Sequence, residues 1–174
     1  MLTLIEKLKA NTEKLLLSFS ELDQNDLHYK TEPTSWTVME CIEHIFLVDV
    51  GVSKVLTTNA EGKKSSNTQK ELFSDERLSS LLVNRSYKVP APEFVSPKNR
   101  FSTADEAQKS IRIIIEKIEF HLKQNDIESE TITIRHAALG EMTKTDWVHF
   151  LIHHTNRHIL QIEEIKQKLV NLKN

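Results

Sequence analysis

Four histidines fall within ten residues in the stretch "WVHFLIHHTNRHILQIEEI", at His149, His153, His154 and His158. They make two HxxxH pairs, His149/His153 and His154/His158. Two imidazoles at i and i+4 on a helix can reach one cation, as in the two-histidine helical arm of many zinc sites. Thr155 stands where an H-E-x-x-H motif would carry its general base, so the metalloprotease mechanism is disfavoured.

Helical geometry separates the pairs. A helix advances about 100° per residue. With Trp147 as the origin, Ile165 returns to it, and Leu151, Gln161 and Ile162 lie within about 60°. His154 and His158 flank that line by about 20° on either side, at the centre of the apolar stripe. His149 and His153 share the opposite face with Asp146, Asn156, Glu163, Glu164 and Gln167, and that face is expected to be solvated. Buried imidazoles are costly unless their nitrogens have partners. The inward pair is therefore either a hydrogen-bonded core layer or two arms of a metal site.

A third ligand must come from another helix, and "WTVMECIEHIFLVDV" offers His44. Its helix has the stripe Cys41, Ile45, Val48, Val52 and Val55, with His44 about 60° off-centre toward Glu40. Taken alone, His44 is a boundary residue capped by Glu40 or a ligand. A facing helix with two imidazoles favours ligation. Three neutral histidines leave coordination positions open, the arrangement of a catalytic rather than a structural site. Glu40 either orients His44 and accepts a proton, or closes a capping box with Thr37. Gln161, one turn past His158, contacts substrate or satisfies a polar group in the core. Cys41 reads as a small core residue. Trp36, Trp147 and Phe150 read as core that can also line a pocket, and His136 lies in a connection that could reach the site.

The elements that must position these residues are helices. With 174 residues, three glycines and four prolines, the chain is expected to form a single domain over residues 1–174, all-α. Helical periodicity covers about Leu2 to Leu22, and a second helix runs from Thr37 to about Thr58. A short helix is expected near Asp75–Val83. A third long helix starts at the capping pair Thr103/Glu106 and reaches about Lys123, and a fourth spans about Lys144 to Leu172. "NAEGKKSSNTQKE" is polar and is expected to be mobile. "VPAPEFVSP" is expected to be extended. "TITI" alternates like a strand but is too short for a sheet of its own. Four amphipathic helices with long irregular connections indicate a four-helix bundle.

The formal charge of −2 and the lack of a basic run interleaved with aromatics argue against nucleic acid as a partner. Cys41 is the sole cysteine, so no intramolecular disulfide forms. Glu6, Lys7 and Lys9 interrupt what would be the apolar part of a signal sequence, and no stretch is apolar enough to cross a bilayer. A cytoplasmic protein without membrane attachment is expected.

With these residues in hand, the chain resembles the DinB-like superfamily, which includes the YfiT-type metal-dependent hydrolases. The landmarks are "SWTVMECIEHI", where a tryptophan precedes the histidine by eight residues, and "HAALGEMTKTDWVHFLIHHTNRHILQI". The latter is similar to the family's His…Gly…Thr…Trp…His-x3-His-x2-Gln-Ile signature. Ala137 stands where the family usually has proline. The resemblance implies a four-helix bundle, often a homodimer, that holds a divalent metal through His44, His154 and His158, with zinc or nickel most in keeping with imidazole donors. It also implies a reaction on a small-molecule substrate. Characterised relatives activate a low-molecular-weight thiol for transfer, so a metal-dependent thiol S-transferase is the leading expectation. A metal-dependent hydrolase and a non-catalytic metal-binding bundle are the alternatives.

Overall fold

The first helix begins where Thr3 and Glu6 exchange hydrogen bonds with each other's backbone N–H groups, a reciprocal cap that satisfies two otherwise unpaired donors. The structure is a computed structural model that describes residues 2–58, 72–86, 90–130 and 132–173. Six helices and one hairpin are present among them: α1 (Leu4–Phe19), α2 (Gln24–His28), α3 (Val38–Thr57), α4 (Asp75–Val83), α5 (Ala104–Gln124), β1 (Thr133–His136), β2 (Gly140–Thr143) and α6 (Lys144–Lys173). The chain is a four-helix bundle built from α1, α3, α5 and α6. The stretch Asn59 to Glu71, expected to be mobile, lies outside the described residues.

Direction within the bundle follows from paired contacts along the helices. Asn11 meets Asn156, and Ser18 meets Lys166, so α1 and α6 run parallel. Glu13 meets Arg112, and Lys9 meets Glu119, so α1 and α5 run antiparallel. Trp36, which leads into α3, lies beside His158, and His44 further along reaches His154, so α3 runs against α6. The order is up-down-down-up, with α3 and α5 parallel and in contact. Parallel neighbours cannot be joined by a tight turn. The long connection between α3 and α5 is therefore obligatory, and α4 forms within it.

The core is aliphatic. Leu8, Leu15 and Phe19 of α1, Ile42, Ile45 and Leu56 of α3, Ile111 and Ile118 of α5, and Leu151 of α6 are fully enclosed. They recur at the helical spacings that put one stripe of each helix inward. Thr37 caps α3 in a complete box with Glu40. At α5, Thr103 caps through Glu106 N–H, but the Glu106 carboxylate reaches back to Ser102 N rather than Thr103 N. That box is half formed.

Three local expectations are corrected. The linker after α1 contains the short helix α2, capped by Asp23, whose side chain accepts from Asp26 N–H. The proline-rich segment is interrupted by a 3-10 turn at Glu93–Val95, where Val95 N–H bonds Pro92 O; a proline at that start forfeits no needed donor. The second half of "TITI" does enter a sheet, because the strand Thr133–His136 pairs antiparallel with Gly140–Thr143, from Thr133↔Thr143 to His136↔Gly140. Gly140 sits at φ 83, where a side chain would be strained, and this lets the chain return after three residues. Trp147 Nε1–H bonds Ile134 O and ties the hairpin to α6. No helix among the described residues is long and apolar enough to cross a membrane.

Candidate metal centre

His44, His154 and His158 each present a ring nitrogen to one small volume, with the three donor atoms within 4.8 Å of one another. The Nε2 of His154 is 3.2 Å from that of His44 and 3.3 Å from that of His158. About 3.3 Å is the edge of a tetrahedron whose metal–nitrogen bonds are about 2.0–2.1 Å, so the two edges that meet at His154 suit a zinc-like ion. α3 delivers His44 at one edge of its apolar stripe, and α6 delivers the other two at the middle of its own. His44 and His158 are buried, and His154 is partly accessible.

The outer nitrogens decide what the inner ones offer. His44 Nδ1 lies 2.7 Å from the carbonyl oxygen of Val95, which can only accept, so Nδ1 carries the hydrogen and Nε2 a lone pair. His158 Nδ1 lies 3.0 Å from Gln161 Oε1, an acceptor as well, with the same consequence. His154 Nε2 can donate to one of these lone pairs at most. A cation among the rings satisfies all three at once. His154 Nδ1 is buried without a hydrogen-bond partner among the described residues.

Electrostatics keep the rings neutral, as ligands must be. Burial lowers the pKa of His44, against a smaller upward pull from the Val95 carbonyl. Burial pushes His158 down to about 3, helped by His44, Arg157 and Arg85 and opposed by Gln161. His154 lies well below its ordinary value, again chiefly through burial and then through His158 and His44.

Aromatic rings wall the cluster. Trp36 lies 4.9 Å from His44 and 6.1 Å from His158 between ring centroids. Phe150 stacks on His154 at 5.3 Å, and His136 packs on Phe150 at 4.8 Å. His136 thus stands behind Phe150, with its Nδ1 accepting from Ala138 N–H and Leu139 N–H in the hairpin turn. Cys41 is fully buried, and burial pushes its thiol up, away from reactivity.

Glu40 and Gln161 have different fates. The Glu40 carboxylate accepts from Thr37 N–H in the α3 cap and from Lys30, and His44 turns its outer nitrogen to Val95 instead. Gln161 touches His158 directly. Sequence reasoning did not find Val95, which acts through its backbone and leaves no side-chain signal. Nor did it find Arg85, whose Nη1 donates to Gln161 Oε1 at 3.2 Å. Glu43, beside His44, is buried and accepts Lys98 N–H at 2.8 Å and Arg100 N–H at 2.9 Å, which holds the returning chain against α3.

The face expected to be solvated is covered in its N-terminal part, around Asp146, His149 and His153, while Glu164 and Gln167 further along it are exposed as expected. α4 packs on α6, His149 is buried, and His153 Nε2–H donates to Asp75 Oδ1 at 2.6 Å, while Lys7 binds the other carboxylate oxygen. Asp146, also assigned to that face, is fully enclosed and accepts Thr143, Leu72 and Phe73 N–H groups. A helical wheel of α6 alone shows one apolar stripe. It does not show that a polar stripe will be paid for by capping and ion pairs with a crossing helix.

The family model described as the DinB superfamily matches residues 7–162. The chain is 24% identical over 151 residues to uncharacterized protein YuaE of Bacillus subtilis (strain 168), covering 85% of this chain and 88% of that one. It also superposes on the crystal structure of TT2238, a four-helix bundle protein, with a TM-score of 0.59 at 17% identity. That match covers 92% of this chain and 96% of the other, and it is a likeness of fold.

Proposed function

The chain belongs to the DinB superfamily, and we propose that it binds a divalent metal ion through His44, His154 and His158 and acts as a metal-dependent transferase on a low-molecular-weight thiol. The observation that carries this reading is the convergence of three Nε2 atoms, two of them held as lone pairs by acceptors behind the rings. Imidazole donors suit zinc or nickel. When bound, such an ion supplies a Lewis acid able to favour a thiolate at neutral pH.

The residues of the chain supply the rest. His44 and His158 are oriented by Val95 and Gln161, and Trp36 and Phe150 shield the rings from bulk water. In the transfer, the thiol would give its proton to solvent, its sulfur would bond an electrophilic carbon, and the leaving group would depart with the bonding pair. Glu40 is engaged in the cap and with Lys30, which favours a thiol nucleophile over water activated by that carboxylate. A small-molecule substrate and a homodimeric assembly belong to the same reading.

Metal analysis of native protein beside His158→Ala tests it. Wild type is expected to carry about one equivalent under non-chelating conditions, and the variant little. Thiol consumption with an electrophilic acceptor is expected to depend on that metal. Equally little metal in both proteins would refute the reading. Metal-dependent hydrolysis without thiol consumption would replace the transferase by a hydrolase.

A further inference from the structure

The two buried ligands are oriented by acceptors of different kinds. Behind His44 stands a main-chain carbonyl, which has no second face to offer. Behind His158 stands the Gln161 amide, which can present either its oxygen or its NH2 group. If the amide turned over, its NH2 would donate to His158 Nδ1. The ring hydrogen would then move to Nε2, where it blocks ligation. Something must keep the amide from turning.

We propose that Arg85 is a positioning residue for His158, acting through Gln161. This rests on the metal-binding reading above. A guanidinium only donates, so the Gln161 atom 3.2 Å from Arg85 Nη1 must be oxygen. The same oxygen lies 3.0 Å from His158 Nδ1, which must therefore bear the hydrogen. Turning the amide would set N–H against N–H at Arg85 and destroy a charge-assisted bond.

Arg85 is itself held in place. Its Nε and Nη2 donate to the two carboxylate oxygens of Glu164, each at 2.8 Å, and this two-point grip leaves Nη1 aimed at Gln161. The backbone just before it is anchored by Arg157, whose Nη1 donates to Leu82 O at 3.0 Å and Asn84 O at 2.5 Å. The connection between α3 and α5 thus reaches the site twice: Val95 sets the tautomer of His44, and Arg85 that of His158.

Long-range proton–nitrogen NMR of the imidazoles in metal-free protein, paired with zinc competition titrations, tests the proposal. Wild type is expected to show His158 as the Nδ1–H tautomer. Arg85→Met is expected to populate the Nε2–H tautomer and to weaken zinc binding about tenfold, the scale for loss of a group supporting a ligand. In a Gln161→Leu background, Arg85→Met is expected to change zinc affinity no further. Arg85→Lys keeps the charge but not the fork and is expected to rescue only in part. An Arg85→Met protein with unchanged His158 tautomer and zinc affinity overturns the proposal, as does an equal loss in the Gln161→Leu background. Should Arg85→Met lose its helical circular dichroism, Glu164→Gln, which loosens the same guanidinium, gives the tautomer comparison in a folded protein. Wild type that takes up no zinc would sink the metal reading, whereas the metal-free NMR comparison would still decide the role of Arg85.

Discussion

His44 donates from Nδ1 to the carbonyl oxygen of Val95, a bond of 2.7 Å between residues 51 apart in the chain. The connection that crosses from α3 to α5 therefore takes part in the site. Its neighbour Glu43 secures the crossing by accepting Lys98 and Arg100 N–H groups. Glu43→Ala removes two bonds to a buried carboxylate and leaves two donors without it. The expected loss is about 2–4 kcal/mol of stability, together with weaker zinc binding as Val95 shifts. Urea unfolding and chelator competition read the two effects.

Asp146 links the start of α6 to the segment before α4. Thr143 Oγ accepts Asp146 N–H, and the Asp146 carboxylate accepts Thr143 N–H at 2.9 Å, Leu72 N–H at 3.1 Å and Phe73 N–H at 3.2 Å. Asp146→Ala is expected to cost about 2–4 kcal/mol, and Thr143→Ala about 1 kcal/mol, since the latter removes only a cap. A smaller loss for Asp146→Ala than for Thr143→Ala in thermal unfolding would contradict this assignment.

Asp49 of α3 is buried with Oδ1 lacking a hydrogen-bond partner among the described residues, and burial raises its carboxyl pKa to about 8. Its folded pKa lies above the ordinary value of 3.8, so the folded state holds the proton more tightly. This stability is fully present below about pH 4 and is lost as pH rises through about 8. Asp49→Asn is expected to match wild type near pH 4 and to exceed it by at least about 1 kcal/mol at pH 9. Paired melts at the two pH values check this.

Asp75 behaves oppositely. Burial pushes its carboxyl up, but hydrogen bonds from Lys7 and His153 and the charges of His149 and His153 outweigh it and hold it at about 2. Its stabilising contribution is present above about pH 4 and is lost as pH falls toward 2. Acid unfolding of Asp75→Asn is expected to be shallower across that window. A parallel displacement of both curves at every pH would show that the carboxylate charge has no part.

Metal removal gives the most direct stability readout. An ion that binds only the folded chain, at 100 times its Kd, adds about 2.7 kcal/mol. Zinc is expected to raise the melting temperature of wild type, a chelator to reverse the rise, and His154→Ala to respond to neither. A zinc-dependent rise preserved in His154→Ala would show that the ion binds elsewhere.

The sequence made the bundle legible because its signals are local. The Thr37/Glu40 cap, the apolar stripes and the scarcity of glycine act within one or two turns, and α3, α5 and α6 begin where those signals place them. The inward facing of His154 and His158 follows from the same periodicity. What stayed hidden depends on partners distant in the chain. His149 and Asp146 are buried because α4 and the residues leading into it lie across them, and nothing within α6 announces that crossing. The hairpin is not legible because Gly140–Thr143 has no strand pattern apart from the strand it pairs with. Val95 contributes a carbonyl, which every residue possesses.

The up-down-down-up order also bears on how the protein is made. His44 and His154 stand 110 residues apart, and α6 is the last helix among the described residues. As the chain leaves the ribosome, an isolated His44 has no neighbouring imidazole with which to grip an ion, and closing so long a loop is entropically unfavourable until the core is in place. On the metal-binding reading, an ion can therefore be held only once α6 lies against α3.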